Sequence, residues 1–450
     1  MVTRKSNPDG DAADAVIGDP PFPRQGKLRR NVAVTFATQM ISWGLAVGVT
    51  FFLPGYLGDK NLGILTLSVA FAATLGAFIS FGTSTVLVQQ VARTPHRARE
   101  LVSTSLRLRT AIGVTLFALG MLGTLVLDYT PEIRNLIALL LAAQVLGQVM
   151  ETYQSALAGL EAFVHQSSAA LAEKLSFSVV TIALVLLKAP LWNFAAVYLL
   201  GSCVSALVAG RAFKRVAASL PPAPAEVPPA EMIALAKTGV PFLTMKLFAV
   251  IYGDGSSAVL MSKLSTLQSI GWFGLAKRFS GAALMVPLSI GTALLPRLSR
   301  LHHDGDRTGF ARLAWQAIGV TFAAAMPVAL VLVFLPRQLM TFLRYPAGFA
   351  GAVPVMQLSG SVLFLWFVQQ ALASTLIAAG KQKWFAIITG TAAVIAFPVT
   401  GACIWAGERY LQNGAVGAMA GDAILEFVML TLYFRALIPD LFPGRQAAVA

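Results

Sequence analysis

The chain alternates long apolar stretches with short polar ones. Twelve stretches stand out, near 31–53, 62–86, 104–127, 133–157, 166–187, 191–213, 234–258, 267–295, 310–335, 352–378, 384–407 and 413–437. Each reaches the roughly 20 residues a helix needs to cross about 30 Å of hydrocarbon. No two-residue alternation recurs, which argues against a β-barrel. The pattern predicts an all-α polytopic membrane protein with about 12 transmembrane helices in two six-helix lobes. A Pro/Ala-rich segment, SLPPAPAEVPPAE at 219–231, reads as an extended spacer and divides the spans six from six. The expected organisation is a disordered tail over 1–30, a lobe over 31–215, a linker over 216–232, and a second lobe with a short tail over 233–450. The two halves echo each other. Ser80-Phe81-Gly82-Thr83 runs on to Val91-Ala92-Arg93, and Ser289-Ile290-Gly291-Thr292 runs on to Leu298-Ser299-Arg300.

Composition makes lipid the expected solvent. Hydrophobic residues make up 56% of the chain and charged ones 12%, whereas soluble domains are about a quarter charged. The net charge of +14 would suit a nucleic-acid binder, but no aromatic–basic interleaving accompanies it, and nucleic acid is not an expected partner. The excess instead follows the loops. With both termini cytoplasmic, 23 Lys and Arg fall on the cytoplasmic side and 7 on the other, as the positive-inside rule requires. A multi-pass membrane protein with both termini cytoplasmic is expected.

Catalytic chemistry is not indicated. His96, His165, His302 and His303 lack carboxylates at ligand spacing, and Cys203 and Cys403 form no pattern. No phosphate-binding glycine loop is present, so ATP is not a direct energy source. The reading is a non-enzyme with no metal and no cofactor.

Charge inside the bilayer defaults to function because it is costly unless paired or hydrated. Lys246, Lys277 and Arg278 lie in or beside spans seven and eight. They are candidates to neutralise an anionic head in a cavity between lobes, with snorkelling to the headgroups as the alternative. Gln39, Gln144 and Gln148 are candidates to hydrogen-bond a polar substrate or to join helices, and the last two, four apart, share a helix face. Asp254, Glu426 and Glu151 are candidates for interhelical pairing or ion coupling. Glu173 and Lys174, being adjacent, need not pair.

Several short motifs resemble one family. Leu57-Gly58 followed by Gly63-Ile64-Leu65 is similar to its turn after span one, and Gly271-Trp272-Phe273-Gly274-Leu275-Ala276-Lys277-Arg278 to its signature after an Asp in span seven. Leu295-Pro296-Arg297-Leu298-Ser299, Ala379-Gly380-Lys381-Gln382 and Asn413-Gly414-Ala415-Val416-Gly417-Ala418 match its later motifs in order. The chain thus resembles polysaccharide and oligosaccharide flippases of the multidrug/oligosaccharidyl-lipid/polysaccharide exporter superfamily. Trp272-Phe273 departs from the usual pattern, as does the flexible Gly253-Asp254-Gly255-Ser256. The resemblance implies a V-shaped transporter working by alternating access. It also implies an undecaprenyl-pyrophosphate-linked glycan as cargo, for exopolysaccharide, O-antigen or capsule assembly. Expected partners are that anionic glycan lipid, membrane lipids, and a glycan polymerase and glycosyltransferases. A cation-coupled drug exporter on the same fold is the alternative. A membrane-embedded glycan polymerase or ligase is a third reading, opposed by the short external loops.

Overall fold

The computed structural model describes residues 25–218 and 254–442 with isolated positions between them, and side chains from residue 48 apart from Gly44 and excluding Asp254, Met285 and Thr292. Fourteen α-helices and no strand occupy the described residues. The helices α1 (Gln25–Ile79), α2 (Thr83–Arg93), α3 (Ala98–Val126), α4 (Pro131–Gly159), α5 (Phe163–Leu186) and α6 (Leu191–Val216) precede the linker. After it come α7 (Asp254–Leu264), α8 (Leu267–Ala283), α9 (Met285–His303), α10 (Arg307–Phe334), α11 (Pro336–Phe342), α12 (Ala352–Ala378), α13 (Gln382–Leu411) and α14 (Gly414–Leu441). The expected tail and the Pro/Ala-rich spacer lie outside the described residues.

Ten helical segments among the described residues are long and apolar enough to cross a membrane. Twelve expected spans become ten for two reasons. The first lies mostly at residues whose side chains are not described, and within α1 it is set off from the second by the kink at Gly58 (φ 73°, ψ 173°), a non-helical residue between two helices. That conformation is open only to a residue without Cβ. The seventh falls largely outside the described residues. Span two also breaks, at Phe81 and Gly82 (φ 45° and 66°), and resumes as α2. Span eight breaks at Leu284, between α8 and α9, three residues before Pro287. The turns after α3, α4 and α5 close with Asp128, Glu161 and Lys188 in the left-handed region. In the first, Tyr129 N–H donates to the Thr124 carbonyl, the hydrogen bond of a Schellman end.

Helices α1–α6 pack on one another, and so do α7–α14; the main packing between the groups is α1 against α7 and α8. The hydrophobic cores show how the groups are joined. At one end a single core takes Leu62 and Leu65 of α1, Leu136 of α4, Ile270 and Phe273 of α8 and Met419 of α14. At the end carrying Arg93, Arg97, Arg297 and Arg300, the arginine-rich end, each group has its own core. One contains Leu87, Val91, Leu157 and Phe213, the other Leu298, Phe310, Leu376 and Leu437. The groups are therefore sealed together at one end and separately packed at the other, leaving a cavity between them.

Candidate functional site

Glycine sets the sealed end. A Cβ on Gly63 would lie 1.8 Å from the Leu267 carbonyl oxygen, and one on Gly271 would lie 2.1 Å from that of Asp59. The backbones of α1 and α8 thus meet where no side chain fits, the small-residue contact that lets membrane helices approach closely. Hydrogen bonds clasp the same end. The Tyr345 hydroxyl donates to the Phe51 carbonyl at 2.6 Å, and Tyr129 Oη lies 2.8 Å from Ser262 Oγ. Lys263 donates to the Leu127 carbonyl and sits over the Tyr129 ring, 4.9 Å from its centroid. Burial pushes the Tyr345 hydroxyl's pKa up, partly offset by the charge of Arg278, so it remains a donor.

Beneath this seal lie two adjoining cavities of about 500 Å³ each. Val69 and Tyr198 line both. The cavity inside the first group has Gln144, Gln148, Glu151, Glu173 and Lys174 on its wall. The one between the groups is bounded by Thr66 and Thr74 of α1 and by Phe273, Lys277 and Arg278 of α8.

Each cavity is backed by a buried cation. Behind the first, the Arg109 side chain is 2% exposed. Its Nε donates to Thr83 Oγ1 at 3.0 Å and its Nη2 to Ser84 Oγ at 2.8 Å. Its Nη1 donates to Gln148 Oε1 at 3.3 Å, and Glu151 stands 3.9 Å away. Ser84 in turn donates to Glu151. The guanidinium thus spreads its donors over mostly neutral oxygens. In the second group, Lys277 Nζ lies 2.7 Å from Asp422 Oδ2, with both side chains mostly buried. It also sits over the Trp366 ring, 4.1 Å from the centroid, at cation–π distance. Glu426 is buried one turn beyond Asp422 on α14.

Of the sequence candidates, Gln144, Gln148 and Glu151 line the first cavity, and Lys277 and Arg278 the second. Glu426 is buried within the second group. Lys246 lies outside the described residues, as do the side chains of Gln39 and Asp254. Arg109, at the start of predicted span three and counted among the cytoplasmic cations, is buried inside α3. Glu173 and Lys174, adjacent on α5, both line the first cavity. Asp422 was missed; its signal is the four-residue spacing to Glu426 on one apolar helix.

Comparison with known proteins agrees with this architecture. The profile of the family described as polysaccharide biosynthesis protein matches residues 28–302, and that of MatE matches 231–400. No curated protein matches by sequence. Solved structures with the same fold include lipid II flippase MurJ in an inward closed conformation, with a TM-score of 0.72 and 13% identity over 91% of this chain and 89% of that one. An inward-facing multidrug resistance MATE family transporter of the MOP superfamily gives 0.70 and 16%, covering 92% and 99%. A MOP superfamily transporter from Pyrococcus furiosus, described as having a binding pocket of reversed polarity, gives 0.53 and 15%, covering 93% and 94%.

Proposed function

This chain belongs to the polysaccharide biosynthesis protein family, and we propose that it is a transporter that flips a lipid-linked anionic oligosaccharide across the bacterial inner membrane. The observation that carries the substrate class is the pair Lys277 and Arg278 on the wall between the helix groups. A diphosphate entering there meets an ammonium and a planar guanidinium fork, which bind phosphate oxygens by charge-assisted hydrogen bonds. Gln144 and Gln148 on the adjoining wall offer amides to sugar hydroxyls. The proposed cycle is alternating access between two lobes, 31–215 and 233–450. The sealed end would be periplasmic and the arginine-rich end cytoplasmic, with both termini there, as the loop charge favours. An undecaprenyl-pyrophosphate glycan fits the anionic site, and a polymerase and glycosyltransferases would act before and after the flip.

A second reading rests on a different wall. Glu151 and Glu173 put two carboxylates on the first cavity, which suits a cationic small molecule exported by ion coupling, and the MatE match covers part of the second half. Proteoliposomes separate the two. The chain should translocate a fluorescent lipid-diphosphate glycan, and Arg278→Ala should slow it about tenfold or more, the worth of a charge-assisted hydrogen bond. Export of a cationic dye that depends on Glu151 and Glu173, with no glycan-lipid translocation, would replace the first reading with the second.

A further inference from the structure

A third cleft lies outside the transport cavity. It has a volume of about 570 Å³ and sits at the arginine-rich end, between α3 and α6 over α4. Arg99, Arg107 and Lys214 line it together with Leu106, Tyr153 and Phe213, and no carboxylate is on its wall. The nearest acid along α3, Glu100, accepts a hydrogen bond from Arg97 at 3.0 Å. The floor is rigid. Tyr153 and Phe213 have ring centroids 5.6 Å apart, and Tyr153 lies on Gly210, where a Cβ would come within 3.3 Å of the ring.

Helix geometry places this cleft on the outside of the helix group. Two residues along a helix turn about 200°. Arg107 is exposed whereas Arg109 is buried in the inward network, and Tyr153 stands in the same relation to Glu151 on α4. Apolar exposed positions then lead away from the cations along the same faces. On α6 the series Lys214, Leu207, Leu200 runs at seven-residue steps, with Leu207 56% and Leu200 43% exposed. On α3 Arg107 is followed seven residues on by Val114, 62% exposed. Each step of seven is about 10 Å along a helix. A cluster of cations thus opens onto two apolar tracks that run toward the middle of the bilayer.

We infer that the α3–α6 cleft is a resident site for an anionic phospholipid. Its phosphate is held by Arg99, Arg107 and Lys214, and its acyl chains lie along Val114 on one side and Leu207 and Leu200 on the other. Basic pockets between membrane helices recognise such headgroups, and the tracks choose a lipid over free phosphate, which would gain nothing from them. The site does not depend on which cargo the central cavity carries.

The test is lipid retention by delipidated full-length protein in detergent, read by native mass spectrometry. The probes are phosphatidylglycerol, phosphatidylcholine with the same chains, and inorganic phosphate. Wild type should hold phosphatidylglycerol about tenfold more tightly than phosphatidylcholine, and millimolar phosphate should not displace it. Arg107→Ala with Lys214→Ala should remove the preference. Arg107→Lys with Lys214→Arg should keep it, as should Arg97→Ala, which deletes a neighbouring charge outside the cleft. The proposal fails if wild type shows no preference, if the double alanine variant keeps it, or if phosphate alone displaces the lipid. If the double alanine variant does not fold, wild-type selectivity and the charge-keeping variant still decide.

Discussion

The two helix groups bury one cation each beside the transport cavity and satisfy it in opposite ways. Arg109 distributes its N–H groups over Thr83, Ser84 and Gln148, with a carboxylate only at the limit of ion-pair distance. Lys277 is a point charge against a mostly buried carboxylate and an aromatic face. The first arrangement is a scaffold: several neutral partners fix α2, α3 and α4 together and no single one decides the outcome. The second is an exchangeable pair, because Lys277 also lines the cavity between the groups. On the proposed function an anionic ligand there competes with Asp422 for the same ammonium. The first cation then serves structure and the second ligand response.

The contrast can be broken most severely at Lys277. Lys277→Met leaves Asp422 buried without its nearest cation and should cost about 3–5 kcal/mol. Adding Asp422→Asn should recover most of it, seen as a return of thermal stability in detergent. Arg109→Met should cost less, about 1.5–3 kcal/mol, the worth of hydrogen bonds from a charged group. Glu151→Gln should change the melting temperature little, because the guanidinium keeps its neutral acceptors. A larger loss from Glu151→Gln than from Arg109→Met would show that the Arg109 network is an ion pair after all. At the seal, Gly271→Ala drives a methyl into the Asp59 carbonyl and should favour opening there by about 1–3 kcal/mol, the usual overpacking cost. Cross-linking across that end would register it as reduced yield. Tyr345→Phe removes one clasp hydrogen bond and should shift the same yield by about 0.5–1.5 kcal/mol.

How far the sequence could be read follows from the range of each interaction. Span positions are local, set by about 20 apolar residues at a time, and so α3–α6, α10 and α12–α14 lie where hydropathy places them. The break at Phe81–Gly82 is a local event inside an apolar run, invisible to a window of that length, whereas the kink at Gly58 falls in the turn expected after span one and the bend at Leu284 lies one turn before Pro287. The echoed segments show the limit. Ser80 to Arg93 contains a left-handed break before α2, whereas Ser289 to Arg300 lies wholly within α9. Similar residues there carry different backbones. Arg109 lies at the start of span three, two residues from Arg107, and the helix sends the two to opposite faces, one buried and one exposed. The Lys277–Asp422 pair spans two distant helices, and nothing local links its members.

The central claim is that the two helix groups close at one end as they open at the other around the cavity of Lys277 and Arg278. After replacing the free Cys203 and Cys403, spin labels at exposed Glu161 and Asp304 report the arginine-rich end, and labels at exposed Asp128 and Thr266 the sealed end. Electron–electron distances in nanodiscs, with and without a lipid-diphosphate glycan, test the claim directly. The expected result is a shorter distance at the arginine-rich end coupled to a longer one at the sealed end, absent in Arg278→Ala. Distances that stay fixed, or that lengthen or shorten together at both ends, would contradict it.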